Sequence, residues 1–379
     1  MGLISAHAKC PKKPASKIEH LIVIISENHS FDSYFGGYCK APAYSAPDCN
    51  YGVDCCEAAP ETVNGKKPYI LSDVQNIQFD PNHSQAQELC KQNFGQMNKY
   101  MTGQGCTSSD DRNFAVADNV TVATYIHYAQ NYAISDRYFQ SAAGASSEND
   151  MYFARGEYVF LDNTKAPISS KSGAYPASML ITYHDKTIAD LLVDCGISWS
   201  FYAEGYNVPI GPGDDWPFFY DPTDNPFEYY ASLVDNPNYF KDFTQFDVDV
   251  KEGKLPAVSY FKAQGIRSEH PTVSAISGGE VFNSLIVDTI FSNPKYKDNT
   301  LILMTPDESG GFYDHVSPPP DSVVDGQTYG PRTFLVAVGA MTKKNYISHV
   351  QAEPSSIIKF IEWNWLGQTG QVSGLRSRI

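Results

Sequence analysis

Two apolar runs along the chain each end in acidic residues. Residues 21–25 read LIVII and are followed by Glu27 and Asn28, while residues 300–304 read TLILM and run into Asp307 and Glu308. Short apolar runs rich in β-branched residues are typical of buried strands, and in open α/β sheets the chemistry lies at the ends of such strands. The pattern therefore predicts two buried strands that carry acidic tips.

The remaining periodicity favours an α/β fold. Apolar residues repeat at three to four positions over 281–290 and 357–365, which predicts helices packed on a sheet, and further strands are expected at 255–261 and 334–338. We expect an N-terminal extension over 1–19 and a single domain over 20–379, with the following two loop insertions: 36–67 and 205–240.

The second insertion is dense in acidic and aromatic residues. Long irregular segments in compact enzymes tend to be surface loops or active-site walls. We expect this one to form a wall of the substrate site that could hold an organic cation. The alternative is an ordinary solvated loop.

The acidic tips predict a metal site if the two strands lie side by side. Glu27, Asn28, Asp307 and Glu308 would then form an all-oxygen cluster with three negative charges. Such a cluster repels itself unless a hard divalent cation is bound. Either segment alone could instead be a helix cap or a solvated loop. Their recurrence at two strand ends favours one ion, with Mg, Ca, Mn and Zn left open.

A third segment supplies a nucleophile. The small residues 141–145 lead into Ser146 and Ser147, either of which could be the N-cap of a short helix. Free backbone N–H groups and the helix dipole at that end would face a bound anion. An ordinary capped helix explains the segment equally well, so only the metal cluster gives it a catalytic interpretation.

Together these segments resemble the phosphoesterase family, which includes bacterial and plant non-specific phospholipases C and certain acid phosphatases. The resemblance rests on E-N-x-S-F-D at 27–32, the serine and amide at 146–149, D-E-x-G-G-F-Y-D-H-V at 307–316, and lesser signatures at 80–84, 255–259, 268–271, 330–332 and 355–362. It covers nearly the whole chain. It implies an alkaline-phosphatase-like α/β fold, with a central mostly parallel sheet flanked by helices on both faces.

The resemblance also implies roles for individual residues. The implied metal ligands are Glu27, Asn28, Asp307 and Glu308; the implied catalytic residues are Ser146, His270 and His315; and the implied substrate-binding residues are His83 and Asn149. Ser146 would attack phosphorus and form a phosphoserine, and His270 or His315 would protonate the leaving alcohol. Because Pro271 follows His270, that histidine is expected in an extended or turn segment.

The chain departs from the family pattern beside the nucleophile. Glu148 and Asp150 stand where the family usually has Pro and Arg. Negative charge at this place would weaken the binding of highly charged phosphates and favour a substrate with a cationic head group. The sequence leaves open whether the substrate is a monoester or a diester.

Charge and cysteine usage limit the partners and the compartment. The net charge of −15 argues against nucleic acid or an anionic membrane surface as a tight partner, and no apolar run is long enough for a transmembrane segment. Most of the eight cysteines lie in loops of the first third without C-x-x-C spacing, which predicts disulfides and a secreted protein. Residues 6–8 resemble the end of a trimmed signal peptide. The oligomeric state is not indicated.

The sequence therefore predicts a secreted, metal-dependent hydrolase of small-molecule or phospholipid phosphoesters. Two alternatives remain. A serine carboxylesterase is disfavoured because Glu148 stands where the G-x-S-x-G turn requires Gly. A secreted phosphoester-binding homologue without catalysis is suggested by Glu148 and Asp150.

Overall fold

Strands and helices alternate along most of the chain in the computed structural model, which describes residues 10–173, 175–209 and 216–367. The strands are β1 His20–Ser26, β2 Tyr69–Leu71, β3 Ala115–Ala117, β4 Ala133–Phe139, β5 Ala166–Pro167, β6 Leu180–Ile181, β7 Trp199–Ala203, β8 Phe240–Asp242, β9 Val258–Lys262, β10 Thr300–Pro306, β11 Arg332–Val338 and β12 Tyr346–Ser348. The α-helices are α1 Phe31–Phe35, α2 Asp73–Asn76, α3 Gln85–Gln92, α4 Ala123–Asn131, α5 Ser146–Ala154, α6 Ile188–Asp194, α7 Thr244–Lys251, α8 Ile276–Phe291 and α9 Pro354–Ile361.

Eight of the strands form one central sheet in the order β12-β4-β11-β10-β1-β9-β7-β8. β1 pairs in parallel with both β9 and β10, whereas β11 runs antiparallel to β10 and β4. The sheet is therefore mostly parallel, as predicted. Because β1 and β10 are parallel neighbours, their carboxyl ends meet at one edge, where Ser26 aligns with Pro306.

Helices cover both faces of this sheet, which confirms the expected fold class. Ile22 and Ile24 of β1 pack into a core with α4, α7 and α8. Their neighbours in β1 alternate to the opposite face, where they pack with α5, α6 and α9. Each such side chain contributes about 1.5–3 kcal/mol when fully buried.

The predicted helices are confirmed near their expected positions. The pattern at 281–290 lies within α8, and the pattern at 357–365 corresponds to α9 followed by the π-helical turn Glu362–Leu366. None of the described helices has the length and apolar character needed to cross a membrane.

The cysteines form four disulfides, which confirms the expected use of these residues. The pairs are Cys10–Cys195, Cys39–Cys56, Cys49–Cys55 and Cys90–Cys106. No free cysteine is left among the described residues. Disulfides persist in oxidising compartments. The signal-peptide-like residues 6–8 lie outside the described part of the chain.

Candidate active site

The loops that follow β1 and β10 are joined by hydrogen bonds at the edge of the sheet. Asn28 adopts a left-handed conformation with a φ of 58°, which asparagine tolerates better than most residues. Its backbone N–H donates to Asp307 Oδ1 at 3.1 Å, and the Asp307 N–H donates to the Ser26 carbonyl at 3.0 Å. At Gly310, a Cβ atom would lie 2.2 Å from the Asn28 carbonyl oxygen, so only glycine allows this approach.

Four side chains converge at this junction and form what we call the oxygen cluster: Asn28, Asp307, Glu308 and Ser146. With its NH₂ turned inward, the Asn28 amide donates to Asp307 Oδ1 at 3.2 Å, Glu308 Oε1 at 2.7 Å and Ser146 Oγ at 3.2 Å. With the amide reversed, its oxygen accepts from Ser146 Oγ at 3.2 Å and faces the two carboxylates. A cation would select the second orientation, because hard cations bind carboxylate and amide oxygens.

The position of His270 favours the inward oxygen. His270 Nδ1 lies 2.7 Å from the Pro271 carbonyl oxygen, so this nitrogen carries the proton and donates it. In a neutral ring, the opposite nitrogen, Nε2, is then a hydrogen-bond acceptor. The Asn28 NH₂ group can donate to it only when the Asn28 amide oxygen faces the carboxylates. As expected, His270 lies outside any helix, in a turn before Pro271.

In the two buried acids of the oxygen cluster, burial outweighs the compensating charges nearby. Burial, together with the charge of Glu27, raises the pKa of Asp307 to about 6, and Asp307 Oδ2 has no hydrogen-bond partner. Burial and the adjacent Asp307 raise the pKa of Glu308 well above its ordinary range. Asn28, Asp307, Glu308 and Ser146 therefore fit a divalent cation in donor type and in unused capacity.

Glu27 is paired with a lysine that the sequence analysis missed. Lys262 Nζ lies 2.7 Å from Glu27 Oε1, and both side chains are only 3% exposed. Burial would raise the pKa of Glu27, but the Lys262 ammonium outweighs that effect and the pKa is lowered. Lys262 ends β9, and its pairing opposite Ile25 places it beside the tip of β1.

Ser146 is the first residue of α5, and its hydroxyl points to the oxygen cluster. The predicted N-cap is wrong by one residue, because Ala145 has the extended backbone of an N-cap and Ser146 is already helical. The Ser146 hydroxyl is consequently not used for capping. Ser147 also lines the cavity described below, and its N–H donates to Asn163 Oδ1 at 2.8 Å.

The loop before α5 is held by two buried side chains. Asn149 Oδ1 accepts from the Ala142 N–H at 3.1 Å, and Asn149 Nδ2 donates to the Gly144 carbonyl at 3.0 Å. Glu88 accepts from the Gly144 N–H and from the Ser309 hydroxyl, each at 2.9 Å. Glu88, which sequence reasoning also missed, therefore joins the nucleophile loop to the loop that carries Glu308.

His83 lies close to the oxygen cluster. Its Nδ1 is 2.8 Å from the Pro81 carbonyl oxygen, and its Nε2 is 3.8 Å from Glu308 Oε1. Burial lowers the pKa of His83. The rings of His83 and His270 have centroids 6.3 Å apart, so the structure brings these two histidines together.

His315 belongs to a separate ion-pair network. Its Nδ1 lies 2.8 Å from Asp32 and its Nε2 lies 3.1 Å from Glu57, so both ring nitrogens have partners. Asp32, Asp314 and His315 offer atoms close enough together to hold a metal, but the Arg332 guanidinium lies 3.1 Å from Asp32 and 3.0 Å from Asp314. The acids next to His315 are thus Asp32 and Glu57, not the Asp307–Glu308 pair that the sequence suggested.

A cavity of about 330 Å³ opens beside Ser146. Its lining residues are Glu27, Ser146, Ser147, Asn163, Tyr175, Met179, Trp216, Asp221, Thr223, Asp224 and His270. Residues 216–224 belong to the acidic and aromatic segment expected to form a wall, and they do line the cavity. The Trp216 ring lies edge-on to His270 at 4.9 Å, and the Tyr175 hydroxyl donates to Asp221 at 2.7 Å.

The two acids beside the nucleophile are both buried. Glu148 accepts from the Asp162 N–H at 2.7 Å, and burial raises the pKa of Glu148 to about 8. Glu148 is not among the lining residues of the cavity, and its effect on substrate preference stays a prediction. Asp150 is fully buried, and neither of its carboxylate oxygens has a hydrogen-bond partner.

Comparison with known proteins identifies the family of the chain. The Phosphoesterase family model matches residues 18–366, and the chain belongs to this family. The resemblance noted from the motifs is thereby confirmed.

The chain is similar to three curated phospholipases C. The non-hemolytic phospholipase C of Pseudomonas aeruginosa is 23% identical over 402 residues, covering 91% of this chain and 53% of that protein. Phospholipase C A of Mycobacterium tuberculosis is 26% identical, covering 80% of this chain and 60% of that protein. The non-specific phospholipase C1 of Arabidopsis thaliana is 26% identical, and the match covers 86% of this chain and 58% of that protein. The chain spans little more than half the length of these relatives.

Among solved structures, a protein in the alkaline phosphatase superfamily from Vibrio parahaemolyticus aligns with a TM-score of 0.39 and 10% identity. The alignment covers 95% of this chain and 71% of that protein. It is too loose to add to the assignment.

Proposed function

We propose that the chain is a metal-dependent hydrolase of phosphoric esters with Ser146 as its nucleophile. The observation that carries this proposal is the convergence of Asp307, Glu308 and the Ser146 hydroxyl on the side chain of Asn28. Membership in the Phosphoesterase family and the names of the relatives support it. The four disulfides support a secreted protein.

Asn28, Asp307 and Glu308 would hold the cation beside Ser146, with Glu27 as the fourth candidate ligand. When bound, a divalent cation at this point supplies a positive charge that polarises a phosphoryl oxygen and lowers the pKa of a neighbouring hydroxyl. Its identity stays open among Mg, Ca, Mn and Zn, because the donors are all oxygen atoms.

The side chains of the cavity have separate roles in this reaction. Ser146 Oγ attacks phosphorus in line and gives a phosphoserine, which water then hydrolyses. Both histidines would act in their protonated forms once an anionic phosphate is bound: Nε2–H of His270, on the cavity wall, would give its proton to the leaving alcohol, and Nε2–H of His83 would donate to a phosphate oxygen from the Glu308 side. Asn149 and Glu88 hold the loop that presents Ser146. His315 stabilises the fold and takes no part.

The walls of the cavity favour a phosphodiester with a cationic head group. The lining carries three carboxylates, those of Glu27, Asp221 and Asp224, and the single ammonium of Lys262 behind it compensates only part of their charge. Tyr175 and Trp216 contribute aromatic faces. A dianionic monoester would meet repulsion there, whereas an organic cation would find carboxylates and π-systems. We therefore favour a choline-type or ethanolamine-type phosphodiester over a phosphate monoester.

A substrate panel with and without chelator tests the proposal. We expect hydrolysis of phosphatidylcholine and glycerophosphocholine to exceed that of p-nitrophenyl phosphate by at least about tenfold in kcat/KM, and to stop on metal removal. Ser146→Ala is the matched inactive control. Bound metal without hydrolysis of any phosphoester would instead support a non-catalytic binding protein, and activity that survives both chelation and Ser146→Ala would overturn the mechanism.

A further inference from the structure

Lys262 is a buried cation next to the cavity floor. It ends β9, and its side chain is only 3% exposed. Its Nζ lies 2.7 Å from Glu27 Oε1 and 3.9 Å from Asp224 Oδ2, and both of these acids line the cavity. An ammonium group is rarely buried to this degree unless carboxylates surround it.

A third carboxylate lies within electrostatic reach of the same ammonium, although beyond ion-pair distance. Asp150 is fully buried, and both of its oxygens lack a hydrogen-bond partner. The strongest charge acting on Asp150 is Lys262, and the next are the negative charges of Asp307 and Glu27. Asp224 likewise has Lys262 as its strongest charged neighbour, followed by Glu27. We call Glu27, Asp150 and Asp224 the lysine pocket.

The lysine pocket and the oxygen cluster are adjacent but have different centres. Asn28 is the centre of the oxygen cluster, where carboxylate, amide and hydroxyl oxygens meet and no lysine or arginine of the described residues lies within ion-pair distance of Asp307 or Glu308. In the lysine pocket, the protein itself supplies the cation. Lys262 Nζ is held there by its contact with Glu27 at 2.7 Å and by the longer attraction to Asp224 at 3.9 Å.

We propose that the ammonium of Lys262 occupies the lysine pocket in place of a metal ion. The wild-type protein then binds a single divalent cation, in the oxygen cluster. Removal of the Lys262 ammonium creates a second cation site in the lysine pocket. The idea rests on the proposed function for the first ion. It follows from the pocket itself, because without Lys262 the buried carboxylates of Glu27 and Asp150 and the partly buried carboxylate of Asp224 would lose the cation that compensates them. Such a group of oxygen donors recruits a hard cation.

Metal stoichiometry tests this directly. Lys262→Gln removes the charge, nearly preserves the side-chain volume and adds an amide oxygen that can itself bind a cation. We expect Lys262→Gln to bind one more Mn²⁺ per chain than the wild-type protein, measured by elemental analysis after dialysis and by titration calorimetry. Lys262→Arg keeps the charge and should show no gain. Lys262→Ala should gain an ion as well. Because alanine has no amide oxygen, this gain would show that the added ion does not depend on the glutamine side chain.

Two controls separate this gain from general effects. Lys241→Gln removes an ion pair of the same N–O distance, 2.7 Å to Asp249, on the edge strand β8, and should leave the stoichiometry unchanged. Lys262→Gln combined with Asp150→Asn should lose the added ion. Thermal unfolding with and without Mn²⁺ shows whether each variant is folded and whether the added ion stabilises it.

The outcome distinguishes this proposal from the proposed function. An unchanged Mn²⁺ count in folded Lys262→Gln and Lys262→Ala would overturn the role of Lys262, whatever the activity of the enzyme. A wild-type protein that binds no ion would contradict the proposed function. In that case a single ion gained by Lys262→Gln would still support the exclusion of metal by Lys262.

Discussion

The Ser146 hydroxyl lies 3.2 Å from Asn28 Oδ1, although the two residues are 118 positions apart in the chain. The contact joins the first turn of α5 to the turn after β1. The Ser146 hydroxyl is available for this contact because Ala145, and not Ser146, is the N-cap of α5. The same Asn28 side chain faces Asp307 and Glu308, so this single contact places the proposed nucleophile among the proposed metal ligands.

The first prediction is that Ser146 is the nucleophile and Ser147 is not. Ser146→Ala should lower kcat by at least about 10³-fold, because the attacking oxygen is lost. Ser147→Ala should retain most of the activity, although Ser147 also lines the cavity. Steady-state kinetics on the preferred ester measures both. Inactive Ser147→Ala alongside active Ser146→Ala would show that the wrong serine has been chosen.

The second prediction is that Asp307 holds the metal. Asp307→Asn removes a negative charge from a fully buried site, and we expect metal affinity to fall by about 100-fold or more while the protein stays folded. Elemental analysis and circular dichroism measure the two effects. Asp298→Asn, on an exposed loop, is the matched control. Full metal content in Asp307→Asn would remove this residue from the site.

The third prediction concerns the pH dependence of stability at His315. Burial alone would lower the pKa of His315, but Asp32 and Glu57 outweigh it and raise the pKa to about 9. A pKa raised on folding means that the stabilisation is complete below about 6.5 and is lost as the pH rises through about 9. The free energy of unfolding of the wild type relative to His315→Gln should therefore fall by about 3 kcal/mol between about pH 6 and about pH 10.

Chemical denaturation at both pH values measures the difference. His127→Gln, on an exposed position of α4, is the control and should show no such change. A difference that does not vary with pH would mean that His315 packs as a neutral ring. Unchanged activity of His315→Gln at about pH 6 would agree with its place outside the cavity.

The fourth prediction is that Asp221 selects the substrate. Asp221→Asn removes a negative charge from the cavity wall but keeps an acceptor for the Tyr175 hydroxyl. We expect kcat/KM for a choline phosphodiester to fall about tenfold and that for an aryl phosphate monoester to rise, since the charge favours one substrate and repels the other. The control is Asp235→Asn, because Asp235 belongs to the same segment but does not line the cavity. Equal effects on both substrates would contradict this role.

The junction of the two strand ends could be predicted because each strand carries a continuous apolar run into its acidic tip. The pairing of β9 beside β1 could not, since nothing local in the sequence sets which strand is the other neighbour. Lys262 was missed for that reason. It reads as the polar end of a strand, and only the register opposite Ile25 places it beside Glu27.

His315 shows the limit of motif spacing. It follows Glu308 closely in the sequence, so the shared motif suggested a shared site. Gly310 and Gly311 both adopt left-handed conformations, with φ values of 65° and 69°, and the chain turns away from the oxygen cluster between them. The turn brings His315 to Asp32.

The burial of Glu148 and Asp150 could not be predicted from the sequence, for a different reason. Every residue of α5 is buried, so this helix has no polar face that a hydrophobic pattern could reveal. The charged residues therefore resembled surface positions. The same burial makes the substitution of Asp150 by arginine a poor probe of substrate preference, because a second cation would have to fit beside Lys262.

The central position of β1 also sets the order in which the sheet can form. The chain leaves the ribosome from its N-terminus, yet β1 has no partner until β9 and β10, beginning at Val258 and Thr300, have been made. The first of the described strands is thus among the last to pair. Its apolar residues must stay protected from other chains until β9 and β10 have been made, which gives this fold a slow, non-local assembly.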